Sequence, residues 1–168
     1  YVNLRWIAHI GQLVTILLVQ FFFKYSFDYA ICIAIVIFSI LTNIFLQFKI
    51  KENQLQNNYS TIYLIFDIIQ IGTLFYFTGG ITNPFIFLII IPAVFSSQYL
   101  HFLSSITLVI IITIILLFLT FNFIELPHPG ELHFHAPDYY FYAIPTSIII
   151  GLFFLVYFGF KFGEESRI

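Results

Sequence analysis

Charge is scarce in this sequence. Only 8% of its 168 residues are charged, whereas 61% are hydrophobic and 21% are aromatic. Soluble globular domains carry about 25% charged residues, so this composition excludes a domain whose surface faces water on all sides. The six Lys and Arg residues form no dense basic patch, which excludes nucleic acid as a partner.

Methionine is absent, including at position 1, and cysteine occurs once. The missing initiator residue leads us to expect that the chain is part of a longer protein. A single cysteine excludes an intrachain disulfide, and Cys32 lies within an apolar run. We therefore expect Cys32 to be a small buried apolar side chain and not a redox centre.

Six long hydrophobic segments fill most of the chain. A helix needs about 20 apolar residues to cross a hydrocarbon core about 30 Å thick, and segments this long can span lipid only as helices. The sequence therefore predicts an all-α membrane protein, a six-transmembrane-helix bundle that forms one domain over residues 1–168. We place the helices near residues 4–23, 29–48, 59–77, 84–100, 102–124 and 139–162. Pro92 predicts a kink in the fourth of them.

The basic residues between the segments predict the orientation of the bundle. Cytoplasmic ends of membrane helices are enriched in Lys and Arg. If both termini are cytoplasmic, only Lys24 lies on the outer side, and the inner side holds Arg5, Lys49, Lys51, Lys161 and Arg167. We therefore expect both termini in the cytoplasm.

The segment TGGITNPF at residues 78–85 stands apart from its apolar surroundings, between the third and fourth predicted helices. Gly79 or Gly80 can adopt the left-handed conformation that closes a helix. Asn83 can cap the next helix, and Pro84 fits its first turn. Such a turn would present free backbone N–H groups beside Phe85, which suits a quinone headgroup, because its carbonyl oxygens accept hydrogen bonds and its ring stacks. The same residues also suit any short connection between two helices.

The sequence GGITNPF at residues 79–85 fits the heptad GGxxNPF of the RegB/PrrB/ActS redox-sensing histidine kinases. The opening LRWIAHIGQ at residues 4–12 is similar to the start of that family's sensor region, and Asp67 resembles an acidic residue on its third helix. Six helices with the heptad in the second outer loop match as well. The chain therefore resembles the transmembrane sensor domain of these kinases along essentially its whole length.

The resemblance implies that the heptad senses membrane ubiquinone, and that the oxidised quinone lowers autophosphorylation of a cytoplasmic kinase core. It implies a homodimer in the bacterial cytoplasmic membrane, a kinase domain after residue 168 and a response regulator as partner. The implied quinone-contact residues are Gly79, Gly80, Asn83, Pro84 and Phe85. The family's redox-reactive cysteine lies in the kinase portion, so Cys32 does not inherit its role. Gly159 and Gly163 form a small-xxx-small pair, which is consistent with close helix approach in a dimer.

Polar residues inside the predicted membrane helices indicate a second site. Arg5, His9 and Gln12 follow an i, i+4, i+7 stripe on the first helix, and Asp67 and Gln70 lie on the third. A carboxylate within a membrane helix almost always faces a partner. We therefore predict that Asp67 is neutral or paired and faces His9 or Gln12. The network is either purely structural or a relay between the quinone loop and the kinase.

The last outer loop contains candidate metal ligands: His128, His133 and His135, with Glu131 nearby. Their spacing matches no specific metal signature, and the loop gives only weak support for a metal site. Two other functions stay open. A membrane transporter would use a polar midplane site at Asp67, Gln70 and Gln12, although no internal repeat supports it. A quinone- or metal-handling membrane enzyme would need its chemistry inside this chain, where no catalytic residue is identified.

Overall fold

A computed structural model describes residues 2–22, 29–49, 57–123 and 138–166. Within these residues all regular structure is helical. Helix α1 spans Val2–Leu17 and continues without a break into a π-helical turn at Leu18–Phe22. Helix α2 spans Tyr29–Lys49 and helix α3 spans Asn57–Phe77. Five of the six predicted helices, including α5 and α6 below, therefore form close to the predicted positions.

Helix α5 spans Phe102–Phe121, and helix α6 spans Asp138–Ser166. Of the described helices, four are single α-helices long and apolar enough to cross a membrane: α2, α3, α5 and α6. Helix α6 is longer at its C-terminal end than predicted, and it tolerates Pro145 in its interior. The orientation of the termini across the membrane stays a prediction.

The fourth predicted span differs most from its prediction. Residues Ile86–Ile90 form a 3₁₀ segment, and α-helix α4 covers only Ile91–Tyr99. Pro92 lies in the first turn of α4, where its missing N–H disturbs no intrahelical bond. The prediction of a Pro92 kink within one continuous helix is therefore wrong, since the α-helix begins at this proline.

Two apolar clusters hold the helices together. The larger one joins α3, α5 and the 3₁₀ segment through fully buried side chains such as Ile68, Ile89 and Ile112. The smaller one joins α1, α2 and α3 and contains Cys32, which is 0% exposed. Cys32 is thus the buried small side chain that was predicted. The outward faces of the helices remain strongly apolar, as a lipid environment requires.

Helix α6 meets the rest of the bundle along one stripe, whose buried members are Pro145, Leu152, Gly159 and Gly163. A Cβ added to Gly159 would overlap Ser97 Oγ, and one added to Gly163 would lie 2.8 Å from the Gln98 carbonyl oxygen. Both glycines therefore pack against α4 of the same chain. We predicted that this glycine pair allows close helix approach in a dimer. The close approach occurs within one chain, so the pair gives no support for a dimer contact.

Candidate functional site

The loop at residues 78–85 connects α3 to the 3₁₀ segment through two left-handed glycines. Gly79 has φ 96° and Gly80 has φ 55°. Positive φ is open to glycine at no steric cost and is strained for residues with a Cβ. A Cβ at Gly80 would also overlap the Phe123 side chain. The predicted left-handed turn is therefore confirmed, and both of its glycines are required by the backbone.

Asn83 is the central hydrogen-bonding residue of this loop. Its Nδ2 donates to the Thr78 carbonyl oxygen at 2.9 Å and to Thr78 Oγ1 at 3.0 Å. Its Oδ1 accepts from the Phe85 N–H at 2.9 Å. Asn83 thus joins the end of α3 to the turn at Pro84 and Phe85. Pro84 lies in that turn, ahead of the 3₁₀ segment, and not in the first turn of a helix as predicted.

The backbone donors of the loop are largely used within it. The N–H groups of Thr82 and Asn83 donate to the carbonyls of Gly79 and Gly80, both at 3.1 Å. The N–H of Ile86 donates to the Asn83 carbonyl at 3.1 Å, and that of Phe85 is taken by the Asn83 side chain. At these four residues the predicted free N–H groups are absent. A ligand on the loop therefore meets side chains and not a row of backbone donors.

The heptad divides into a buried half and an exposed half. Gly79, Gly80 and Ile81 are buried, and Asn83 is half-buried. Pro84 is exposed, and Phe85 is 41% exposed. Of the five predicted quinone-contact residues, Pro84 and Phe85 can therefore touch a ligand from the membrane side, whereas the two glycines shape the loop from within.

A shallow apolar groove of about 350 Å³ lies along the 3₁₀ segment and α4, facing α6. Phe87 and Ile91 line it from the 3₁₀ segment and α4, and Leu155 lines it from α6. Phe87 follows Phe85 by two residues and is 53% exposed. Phe85 does not line the groove, which is a separate aromatic and aliphatic surface open to the surroundings of the bundle.

The second predicted site is a buried ion pair between α1 and α3. Arg5 Nη2 and Nε both donate to Asp67 Oδ1, at 2.7 Å and 3.0 Å. The two side chains are 3% and 13% exposed. Arg5 also donates to Thr42 Oγ1 of α2 at 3.4 Å and lies 5.8 Å from the centre of the Tyr63 ring. The pair thus holds three helices together at one level of the bundle.

The remaining polar residues of the stripe find partners of their own. Gln12 and Gln70 exchange two amide hydrogen bonds, at 3.0 Å and 3.3 Å. His9 Nε2 lies 3.3 Å from Ser39 Oγ of α2. The prediction that Asp67 faces His9 or Gln12 is therefore replaced by the pairing of Asp67 with Arg5. All five predicted network residues do come together in one region.

Several residues of both sites were not predicted. Thr42 and Ser39 were not predicted, because single hydroxyl residues are common in apolar helices and the sequence does not indicate what they bind. Thr78 adjoins the heptad and could have been found as an acceptor for Asn83. Phe123 lies at the end of the fifth predicted span, just past the observed end of α5, and only the tertiary fold places it on Gly80.

The loop and the polar network are separate sites. Asp67 precedes Gly79 by twelve residues of helix and turn, or roughly 18 Å at about 1.5 Å per residue. The three residues named for a transporter site are engaged with partners, since Asp67 pairs with Arg5 and Gln12 pairs with Gln70. His128, His133 and His135 lie outside the described residues. Among the described residues no three His, Cys, Asp or Glu side chains cluster as metal ligands would.

Comparison with known proteins places this geometry in a family context. A family model described as the PilS-like transmembrane domain matches residues 12–158. The sensor histidine kinase RegB of Cereibacter sphaeroides is 27% identical over 165 residues, which cover 98% of this chain and 36% of that protein. The chain thus spans about a third of the length of this relative. No solved structure matches. The predicted resemblance to the transmembrane sensor domain of histidine kinases is therefore confirmed over 98% of the chain.

Proposed function

Since the chain belongs to the PilS-like transmembrane domain family, we propose that it is the membrane sensor domain of a two-component, redox-responsive histidine kinase. Its ligand is ubiquinone, bound at the loop of residues 78–85, and its output is the autophosphorylation of a cytoplasmic kinase domain. The chain is a multi-pass domain of the bacterial inner membrane, where a lipid-soluble quinone reaches it directly.

The exposed Phe85, whose backbone N–H is held by the Asn83 side chain, is the observation that carries this proposal. Asn83 fixes the turn that leads to Phe85, and Gly80 packs the loop onto Phe123. The Phe85 ring therefore projects from a loop whose backbone is already ordered. A rigid aromatic surface binds a flat ring with little loss of conformational freedom. Because the N–H groups of Thr82, Asn83 and Phe85 are used within the loop, ring stacking on Phe85 is the main headgroup contact. The groove at Phe87 and Ile91 then provides an apolar surface for the quinone tail.

Redox sensing requires the two forms of the ligand to differ in their effect. A ligand shifts a conformational equilibrium only through its different affinity for the two states. Oxidised and reduced ubiquinone must therefore bind the kinase-on and kinase-off arrangements of the bundle unequally. A homodimer and a response regulator complete this proposal as partners.

Binding of oxidised and reduced ubiquinone analogues to the chain in nanodiscs tests the proposal. Replacing Phe85 with Leu keeps an apolar side chain but removes the aromatic face. Ring pairs contribute about 0.5–1.5 kcal/mol, so Phe85→Leu should weaken binding roughly two- to twelvefold. Phe102→Leu is the matched control, because Phe102 is an aromatic residue that is 56% exposed at the opposite end of the bundle. Equal binding by Phe85→Leu and the parent chain would exclude this site, and no saturable binding by the parent would exclude quinone.

A further inference from the structure

The loop and helix α4 form one continuous hydrogen-bonded segment. The Ile86 N–H donates to the Asn83 carbonyl at 3.1 Å, and the Leu88 N–H donates to the Phe85 carbonyl at 2.9 Å. The N–H of Ile91, which begins α4, donates to the Leu88 carbonyl. Backbone hydrogen bonds thus run from the loop into α4. A displacement of the loop should therefore move α4 as well.

The far end of α4 is in backbone contact with α6. Gly163 lies so close to Gln98 that an added Cβ would come within 2.8 Å of the Gln98 carbonyl oxygen and 3.4 Å of its Cα. At Gly159 an added Cβ would overlap Ser97 Oγ. A contact between backbones cannot relax by rotating a side chain. Movement of α4 at this point is therefore passed to α6 directly.

Helix α4 is the main neighbour of α6 among the described elements, and α5 and residues 80–82 of the loop also contact α6. Only 17% of its most apolar stretch is buried, and α4 contacts it more extensively than any other described element does. Helix α6 ends at Ser166 in a charged segment that includes Lys161 and Glu164. Because its contact with α4 is the most extensive, we expect α6 to follow a displacement of α4 more closely than one of its other neighbours.

We propose that α4 is a rigid coupling element, which transmits displacement of the 78–85 loop to the last turns of α6 through the contact of Gly163 with the Gln98 backbone and that of Gly159 with the Ser97 side chain. This inference deepens the proposed function, which supplies the ligand that displaces the loop. The coupling itself is a mechanical property of the chain and can be measured without any ligand.

Two spin-label pairs in nanodiscs measure the coupling. Labels at Tyr99→Cys, which ends α4, and at Glu165→Cys, near the end of α6, are each paired with a reference label at Phe48→Cys on α2. All three positions are exposed, whereas Cys32 is 0% exposed and stays unlabelled. Gly80→Ala displaces the loop, since alanine resists its φ of 55° and the new methyl overlaps Phe123.

Gly80→Ala should shift both distances together, by about 1–2 Å as in known helix shifts. When Gly163→Ala is added, the Tyr99 shift should persist while the Glu165 shift is lost. The matched control is Gly151→Ala on the same helix, where an added Cβ meets no atom within 4 Å and both shifts should remain. If Gly80→Ala does not fold, Asn83→Ala displaces the loop by removing its side-chain hydrogen bonds. If Gly163→Ala does not fold, Gly159→Ala replaces it, because Ser97 can rotate away.

The proposal is overturned if the loop variants leave the Tyr99 distance unchanged. It is also overturned if the Glu165 shift survives Gly163→Ala undiminished. Addition of ubiquinone analogues to the same labelled chain is a separate arm. A chain that fails to bind quinone but shows the coupled shifts refutes the proposed ligand and leaves the coupling intact.

Discussion

Removal of the Asp67 charge should be among the most damaging single substitutions in this chain. Asp67→Asn leaves the Arg5 guanidinium, which is 3% exposed, without the carboxylate that accepts both of its hydrogen bonds at 2.7 Å and 3.0 Å. Breaking a buried ion pair by removing one partner costs about 3–5 kcal/mol, because a buried charge is left uncompensated. We therefore expect Asp67→Asn to lower the free energy of unfolding by that amount.

Reversible unfolding in detergent mixtures, followed by the fluorescence of Trp6, measures this effect. Trp6 is the sole tryptophan and adjoins Arg5, so it reports directly on α1. Arg5→Gln combined with Asp67→Asn removes both charges and should be markedly less damaging than the sum of the two single changes. Thr73→Val on the same helix is the control, since the Thr73 hydroxyl donates to Ile69 of its own helix. A loss below about 1 kcal/mol for Asp67→Asn, or strict additivity in the double variant, would refute the assignment of a buried, mutually dependent pair.

Three further expectations concern single hydrogen bonds and glycines, each measured by the same unfolding assay. Gln12→Leu leaves the Gln70 amide unpaired and should lower the free energy of unfolding by about 1–3 kcal/mol. Adding Gln70→Leu should recover most of that loss. A double variant no more stable than the single variant would contradict this. Gly80→Ala should lower the free energy of unfolding by more than about 1 kcal/mol because of the positive φ at this position. Gly11→Ala, with no atom near its new Cβ, should be neutral or stabilising. Equal effects of the two substitutions would contradict backbone strain at position 80. Asn83→Ala removes the acceptor for the Phe85 N–H and both donations to Thr78, so it should cost about 1–3 kcal/mol. An unchanged stability would contradict the central place of Asn83 in the loop.

The positions of the long helices were predictable because lipid leaves the backbone few choices. In an apolar medium the backbone of a segment such as α5 can satisfy its hydrogen bonds only as a helix. The length and hydrophobicity of the segment therefore determine its structure. The fourth span escaped this reasoning. Its residues are equally apolar, but Asn83 and Pro84 delay the start of the helix, and a 3₁₀ segment precedes α4. Hydrophobicity alone cannot distinguish the two helical forms.

The membership of the polar network was predictable, whereas its pairing was not. The stripe of Arg5, His9 and Gln12 indicated which face of α1 is buried, because polar groups in lipid must turn inward. The partner of Asp67 depends on the axial position of α1 relative to α3. The periodicity within a single helix contains no information on that position. The partners of Gly159 and Gly163 were hidden for the same reason, since a small-xxx-small pair fits a neighbour in the same chain as well as one in another.

Autophosphorylation of the full-length kinase proposed for this domain, reconstituted in liposomes with ubiquinone or ubiquinol, tests the central claim most directly. The sensing proposal predicts lower phosphorylation with the oxidised quinone, loss of that difference in Phe85→Leu and its retention in Phe102→Leu. Equal phosphorylation with both forms, in a parent protein that binds them, would contradict redox sensing by this domain. A Phe85→Leu variant that responds like the parent would contradict the placement of the ligand at the 78–85 loop.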